Sequence, residues 1–194
     1  GGVVANLAIT LNGKIPVNLN FTAGQKHVDS AIRRCGITQI IGARRVVDRV
    51  GIQPSADLID LETIPASISI LDKVWAGLIS RVIPTSLLGT VLPGCRGNRL
   101  QETAAVLFTS GTTGEPKGVV LSHANILSNI RQIELQLEPS PDEVVLGVLP
   151  FFHAMGFTVN LWAVLCLGRK SVVHANPLEA RIVGDLCRKH SVSL

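Results

Sequence analysis

Residues 104–137 read AAVLFTSGTTGEPKGVVLSHANILSNIRQIELQL and change their pattern of hydrophobicity three times. Ala104 to Phe108 is a short apolar run, as in a buried strand, and Gly118 to Leu121 is a second one. Ser122 is a residue type that caps helices well. The apolar residues that follow it share one helical face: Ile126, Ile130, Ile133 and Leu137. The segment therefore predicts a strand, a loop, a second strand and a helix.

The same alternation extends over the rest of the chain. Short apolar runs predict further strands at 15–20, 37–41, 58–61, 144–149 and 171–174. Amphipathic spacing and capping signals predict helices at 4–11, from the Thr22 cap to Gly36, over about two turns to Val50, at 71–82, at 157–167 and from 176 onward. The predicted fold is α/β, with one or more mostly parallel sheets flanked by helices. Residues 84–103, rich in proline and glycine, predict a break between subdomains.

Local signals define some of the helix ends. Thr22 followed by Gln25 has the spacing of a capping box for the second helix. Asn176, Pro177 and Glu179 have the residue types that open a helix, with Asn176 as the cap. We therefore expect the second helix to be capped by Thr22 and the last helix to begin directly after Asn176.

Composition excludes several classes of protein. With 46% hydrophobic and 16% charged residues over 194 positions, the chain can bury a sizeable core and is not disordered. Its longest apolar stretch, 157–167, is shorter than the roughly 20 residues that a membrane-spanning helix needs. The net charge of +4 arises in the first hundred residues, which hold eleven Lys/Arg and six Asp/Glu. No aromatic residues are interleaved with these cations, so nucleic acid is not an expected partner.

The cysteines and the chain ends bear on the setting of the protein. The separations among Cys35, Cys95, Cys166 and Cys187 match no zinc motif, and we expect three of them, all but Cys95, to be buried on apolar helix faces. A reducing, cytoplasmic compartment follows from this interpretation.

The chain has no initiator methionine and ends in a segment with strand character, so we expect it to be a piece of a longer protein at both ends.

The loop between the two predicted strands carries the clearest chemical signal. Ten residues, Thr109 to Gly118, hold three Thr, one Ser, three Gly and one Lys. Glycines let backbone N–H groups converge on one point, while hydroxyls and an ammonium add donors for phosphate oxygens. The Walker A order is absent, since Pro116 precedes Lys117 and Gly118 follows it. From the residues alone, a phosphate-binding loop and a plain Gly/Thr-rich hairpin both remain open.

Three motifs resemble those of the adenylate-forming superfamily, which includes acyl-CoA synthetases, luciferases and nonribosomal adenylation domains. They are the stretch from Phe108 to His123, the turn Leu149-Pro-Phe-Phe-His-Ala-Met-Gly156, and the segment Gly13-Lys-Ile-Pro-Val-Asn-Leu-Asn20. The resemblance covers residues 4–194. Finer features are similar to the acyl-acyl-carrier-protein synthetase/2-acylglycerophosphoethanolamine acyltransferase type: Asn20-Phe-Thr-Ala-Gly24, Asp72-Lys-Val-Trp75 and Arg181-Ile-Val183.

The resemblance implies a fold and a reaction. Residues 1–194 would be part of one AMP-binding domain, the large N-terminal domain of such an enzyme. A fatty acid carboxylate would attack the α-phosphorus of ATP–Mg²⁺, and the resulting acyl-adenylate would react with the thiol of acyl carrier protein or CoA. The product could feed lysophospholipid acylation, with the whole protein associated with a membrane surface through parts outside this chain.

The resemblance also assigns site residues. It implies that ATP phosphates are bound by Thr109, Ser110, Gly111, Thr112, Thr113, Gly114 and Lys117. It implies that His153 and Gly156 lie at the acyl pocket, where an imidazole orients the carboxylate or gates the pocket. The family's later motifs, including the magnesium-binding acid and the C-terminal lysine, do not occur here. We therefore expect no metal ligands, no complete catalytic set and no adenylation by this chain alone.

Two alternatives stay open at this stage. One is a non-catalytic nucleotide-binding or interaction module on the same fold. The other is a ligase for aryl or short-chain acids. The remaining histidines, His27, His123, His174 and His190, are interpreted as structural because each lies at or near the end of a helix or strand.

Overall fold

The structure is a computed structural model and describes residues 1–109, 116–174 and 176–194. The chain divides into two compact units. The first contains Gly1–Arg99 and, among the described residues, 116–118; the second contains Leu100–Thr109 and Val119–Leu194.

The first unit alternates helices and short strands. In chain order its elements are α1 (Gly2–Leu11), β1 (Val17–Asn18), α2 (Gln25–Cys35), β2 (Gln39–Gly42), α3 (Arg44–Val50), β3 (Asp57–Asp60), α4 (Ile64–Ser67), α5 (Ile70–Val82) and α6 (Leu88–Val91). Strands β2 and β3 are parallel, with Gln39 opposite Asp57 and Gly42 opposite Asp60. The predicted parallel pairing of this βαβ segment is confirmed.

Helix α2 anchors the core of this unit. Its Val28 and Ile32 are buried with Ile52, and the side chains that pack around them come from β2 and from the connecting segments: Leu19, Ile37, Ile40 and Ala56. The helix ends where predicted, because Gly36 adopts the left-handed conformation with φ of 60° that a C-terminal cap needs.

The predicted capping box at the start of α2 is wrong. The Asn20 side chain accepts hydrogen bonds from both the backbone N–H and the hydroxyl of Thr22. The Thr22 hydroxyl is thereby engaged in the 3₁₀ turn Phe21–Ala23, and α2 begins at Gln25 after Gly24 without a side-chain cap.

Helix α5 forms as predicted, and Ser69 and Asp72 provide its capping box. Its apolar face is nevertheless exposed within the chain, with Leu71 at 72% and Trp75 at 62% of full exposure. Among the described residues no single helix is long and apolar enough to cross a membrane; α5 and the segment Thr85–Val91 reach that length only as a pair bent by 119°.

The remaining elements belong to the second unit, apart from the first two residues of one strand, Lys117 and Gly118, which belong to the first. These elements are β4 (Thr103–Thr109), β5 (Lys117–Ser122), α7 (His123–Leu137), β6 (Val144–Gly147), a π-helix (Gly156–Ala163), α8 (Val164–Cys166), β7 (Lys170–Val173) and α9 (Ala180–His190). Strands β4 and β5 are neighbours in a sheet. Strands β6 and β7 are parallel, and the backbone of residues 193–194 also hydrogen-bonds to β6.

Two helix predictions in this unit need correction. The apolar segment predicted as one α-helix begins as a π-helix and becomes α-helical only at Val164. The last helix begins at Ala180, because the Asn176 side chain caps only the N–H of Leu178 in a local turn. Glu179, placed by the sequence inside the first turn, is instead the residue before the helix.

The expectation of buried cysteines is also wrong. Cys35, Cys95 and Cys166 are exposed and Cys187 is half-buried. Cys35 and Cys166 are the last residues of their helices, beyond the buried part of each apolar face.

Candidate functional site

The structure places a strand on each side of residues 110–116, as the sequence predicts. The chain leaves β4 at Thr109 and enters β5 at Lys117, and both residues are exposed. Burial of Ala104, Ala105, Leu107 and Phe108 holds β4 in the core of the second unit. The predicted phosphate ligands Ser110, Gly111, Thr112, Thr113 and Gly114 lie outside the described residues. Thr109 belongs to the second unit and Lys117 to the first.

The junction after β5 is closely defined. Ser122 Oγ accepts from the Asn125 N–H at 3.2 Å, and Asn125 Oδ1 accepts from the Ser122 N–H at 3.0 Å. This reciprocal pair satisfies two donors that the start of α7 would otherwise leave open. The N–H of Ala124 also donates to the Leu100 carbonyl at 2.8 Å, tying the helix start to the segment before β4. The predicted Ser122 cap is confirmed.

The residue before Lys117 has a long-range partner in the first unit. Arg34 Nη1 donates to the carbonyl oxygen of Pro116 at 2.6 Å, and Pro116 is buried. Sequence reasoning missed this contact because Arg33 and Arg34 together have the pattern of a solvated helix end. The helix dipole also favours cations in the last turn of α2, so their presence there needs no further role to explain it.

The second motif forms a tight turn in which the structure brings His153 and Gly156 together. The His153 N–H donates to the Pro150 carbonyl at 3.1 Å, and the Phe157 N–H donates to the His153 carbonyl at 2.8 Å. Asn160 Nδ2 donates to the Leu149 carbonyl at 3.2 Å and is itself buried. The turn is thus fixed from within the π-helix that follows it.

Gly156 is required by close backbone approach. A Cβ atom at this position would lie 2.1 Å from the Pro150 carbonyl oxygen and 2.7 Å from that of Leu149. The structure therefore shows a steric reason for glycine here, whereas its predicted place at an acyl pocket stays a prediction.

His153 presents its imidazole on the surface of the second unit. The ring centroid lies 4.7 Å from that of the buried Phe152, so the aromatic neighbour supports one edge of the imidazole. An exposed imidazole can accept or donate a hydrogen bond to a carboxylate. The geometry allows the predicted contact with a substrate carboxylate without showing it.

The same edge of the β6–β7 pair carries a second histidine. His174 follows β7, its N–H donates to the Gly147 carbonyl at 3.0 Å, and its Nε2 lies 2.7 Å from Glu179 Oε2. The carboxyl ends of parallel strands are where α/β sheets place ligands. The pair joins the end of β7 to the start of α9, which agrees with the structural role predicted for His174.

Two thiols have perturbed pKa values. Partial desolvation raises the pKa of Cys166 and also of Cys35, although the residues are exposed overall; the Arg34 charge acts on Cys35 in the opposite direction and more weakly. Since the thiolate is the reactive form, these thiols are less nucleophilic than ordinary cysteines at neutral pH.

The described residues contain no group of three or more His, Cys, Asp or Glu side chains able to hold a metal ion. The assignment of Thr109 and Lys117 as phosphate ligands stays a prediction.

Comparisons with known proteins define the class of protein. The o-succinylbenzoate CoA synthetase of Bacillus subtilis, solved with its acyl-adenylate intermediate, matches in fold with a TM-score of 0.73 at 19% identity, over 100% of this chain and 45% of that one. The same enzyme has been solved with ATP and a magnesium ion. The fold is that of an adenylate-forming enzyme's N-terminal domain.

The family follows from the sequence match. The sequence model of the family described as AMP-binding enzyme matches residues 2–194, and the chain belongs to this family. The predicted superfamily is therefore confirmed.

The curated relatives are longer proteins that act on different acids. A medium-chain-fatty-acid–[acyl-carrier-protein] ligase of Teredinibacter turnerae is 46% identical over 63 residues, 32% of this chain and 10% of the relative. A probable 4-coumarate–CoA ligase of Dictyostelium discoideum is 37% identical over 109 residues, 55% of this chain and 19% of the relative. The matched part of this chain thus spans less than a fifth of either relative.

Proposed function

We propose that the whole protein containing this chain is an ATP-dependent acid–thiol ligase that activates a fatty acid as its acyl-adenylate. The observation that supports this most directly is the full Phe108–His123 motif in the sequence, with β4 ending at Thr109, β5 beginning at Lys117, and the second motif as a fixed turn after β6. The acyl group then passes to the thiol of acyl carrier protein or CoA.

The loop's proposed task is to hold the polyphosphate of ATP while the carboxylate attacks. The proposed ligands are Thr109, Ser110, Gly111, Thr112, Thr113, Gly114 and Lys117. Donors that face the leaving pyrophosphate stabilise the charge that develops on it, and they also hold the α-phosphorus in line with the nucleophile. Mg²⁺ would enter with ATP and supply further charge neutralisation.

The proposed acyl end of the site is the turn that carries His153. Its exposed imidazole can hydrogen-bond to the substrate carboxylate before attack. The apolar π-helix that follows Gly156 gives this turn a rigid, water-poor base, because Phe157 and Leu161 are fully buried. We propose a fatty acid rather than an aryl acid as the substrate, because of the finer motifs and the similarity to a medium-chain fatty acid ligase.

The finer partners are part of the same proposal. The motifs similar to acyl-acyl-carrier-protein synthetase/2-acylglycerophosphoethanolamine acyltransferase proteins support acyl carrier protein as the acceptor and a lysophospholipid as the later destination of the acyl group. They also support a cytoplasmic location with the whole protein at a membrane surface.

The test is carboxylate-dependent exchange of radioactive pyrophosphate into ATP by the whole protein. We expect exchange with saturated fatty acids and much less with coumarate, benzoate or amino acids. A preference for aryl acids would overturn the fatty acid assignment in favour of the aryl ligase alternative.

Substitution of Lys117 tests the proposed phosphate contact. Lys117→Met removes the ammonium but keeps the length of the side chain, and we expect the KM for ATP in the exchange assay to rise by about tenfold or more, as for the loss of a hydrogen bond to a charged group. Lys170→Met removes another exposed lysine, at the start of β7, and serves as the matched control. Equal exchange by both variants would contradict the proposed role.

A further inference from the structure

We infer that Arg34 is a positioning residue for nucleotide binding, acting through Pro116 on Lys117. The inference rests on the proposed function and adds to it a residue far from the motifs, 82 positions before Pro116 in sequence. Arg34 itself is not placed in contact with substrate.

The contact fixes the one backbone group that Pro116 can offer. Proline has no N–H, so its carbonyl oxygen is its only backbone hydrogen-bonding atom. That oxygen accepts from Arg34 Nη1 at 2.6 Å, and the residue around it is buried. A charged donor makes such a bond stronger than a neutral one. The carbonyl belongs to the peptide that links Pro116 to Lys117, so Arg34 sets the plane of that peptide.

The helix that carries Arg34 is held on several sides. Val28 and Ile32 are buried in the core of the first unit. Gln25 exchanges two hydrogen bonds with the backbone of Gln53, each 2.7 Å long. Asp29 accepts from the Ser55 hydroxyl at 3.2 Å. The helix that carries Arg34 is therefore held in place by these contacts.

The consequence concerns the direction in which β5 starts. The ring of Pro116 restricts its φ angle, and Arg34 restricts the peptide that follows. Two restrictions therefore act on the chain directly before the Lys117 Cα. A lysine that reaches a phosphate from a fixed Cα loses less entropy on binding than one on an unanchored segment. Removing the Arg34 contact should weaken ATP binding without removing any phosphate ligand.

The experiment uses the whole protein with three variants. Arg34→Met removes the donor while keeping the alkyl length, and Arg34→Lys restores a charged donor with different geometry. Arg33→Met is the matched control, because Arg33 is exposed in the same helical turn and its loss changes the net charge equally. Three quantities are measured: the Kd for ATP by equilibrium dialysis, the separate KM values for ATP and carboxylate in pyrophosphate exchange, and the thermal unfolding midpoint.

We expect Arg34→Met to raise the Kd and KM for ATP by about fivefold to tenfold, in line with one hydrogen bond from a charged donor, while the KM for the carboxylate is unchanged. Arg34→Lys should recover part of the affinity, and Arg33→Met should match the unsubstituted protein. The inference would be overturned if Arg34→Met binds ATP with unchanged affinity. It would also be overturned if the unfolding midpoint and kcat fall while the KM for ATP is unchanged, and Arg34 would then be a structural residue.

The proposed function can fail separately. If the unsubstituted protein catalyses no pyrophosphate exchange with any carboxylate, the ligase assignment fails. The Kd for ATP in Arg34→Met and Arg33→Met still decides the inference: a loss confined to Arg34→Met supports it, and equal values, or no ATP binding by the unsubstituted protein, overturn it.

Discussion

Gly156 shows how a single residue can be determined by backbone packing rather than by chemistry. The carbonyl oxygens of Leu149 and Pro150 occupy the space where any other residue would place its Cβ, and the same turn is closed by the hydrogen bond from Asn160. In the Leu149–Gly156 motif, His153 has the side chain proposed to take part in the chemistry. Gly156 has no side chain, and this lets the turn form.

Gly156→Ala should destabilise the second unit by about 3 kcal/mol, because overlap with two backbone carbonyls can be relieved only by opening the turn. Gly184→Ala is the matched control: Gly184 lies inside α9, no described atom lies within 4 Å of its Cβ position, and alanine should stabilise the helix by about 0.5–1 kcal/mol.

Urea unfolding followed by Trp162 fluorescence measures both changes in the unit that contains them. The chain has two tryptophans, and Trp75 is exposed in the first unit, so a Trp75→Phe background leaves Trp162 as the reporter. Equal midpoints for Gly156→Ala and its parent would show that the turn is not as tight as described.

At the scale of the element, the segment from Gly156 to Cys166 departs most from expectation. Its composition and spacing indicate an apolar helix, and a helix forms, but its first eight residues are π-helical. The wider turn places Phe157 and Leu161 both at full burial, with Phe157 at an edge-on angle to Trp162. Such segments are frequent next to functional sites, and this one follows directly on the His153 turn.

Leu161→Ala tests whether this element is the core of the second unit. Leu161 has no exposed surface, so its truncation should cost about 3–5 kcal/mol of the free energy of unfolding, through lost burial and the cavity left behind. Leu165→Ala, at the same type of residue four positions later but 37% exposed, should cost about 1 kcal/mol or less. The Trp162 assay reports both, and a similar cost for the two variants would contradict the core assignment.

Helix α5 illustrates what periodicity does and does not determine. The spacing of Leu71, Val74 and Leu78 correctly predicts the helix, because helix formation depends on local spacing and on the cap at Ser69. The spacing also suggests that this face is buried, yet these side chains are exposed within the chain. Burial depends on what lies opposite a face, and local sequence carries no information about that.

At the scale of the whole molecule, the chain holds the early motifs of its family in two units and matches under half of a solved relative's length. The described residues contain no group of three or more His, Cys, Asp or Glu side chains that could hold a metal ion. The proposed reaction needs Mg²⁺ with ATP, because the metal neutralises phosphate charge that the proposed ligand Lys117 alone does not.

We predict that the 194-residue chain by itself catalyses no pyrophosphate exchange, whereas the whole protein, on the proposed function, does. The measurement compares both at equal concentration with saturating ATP, Mg²⁺ and fatty acid. Circular dichroism of the isolated chain serves as the control for folding. Turnover by the isolated, folded chain would show that its own residues complete the site.

The sequence by itself determined the family, the α/β class, the two strands that flank residues 110–116 and the Ser122 cap. These features depend on residue type and on spacing over a few turns, so local physics is enough. Tertiary structure decided the rest: the exposure of the cysteines, the π-helical start of the apolar helix, the steric need for Gly156 and the contact of Arg34 with Pro116. Each of these depends on atoms brought together from distant or differently wound parts of the chain, and no local pattern specifies which group will be there.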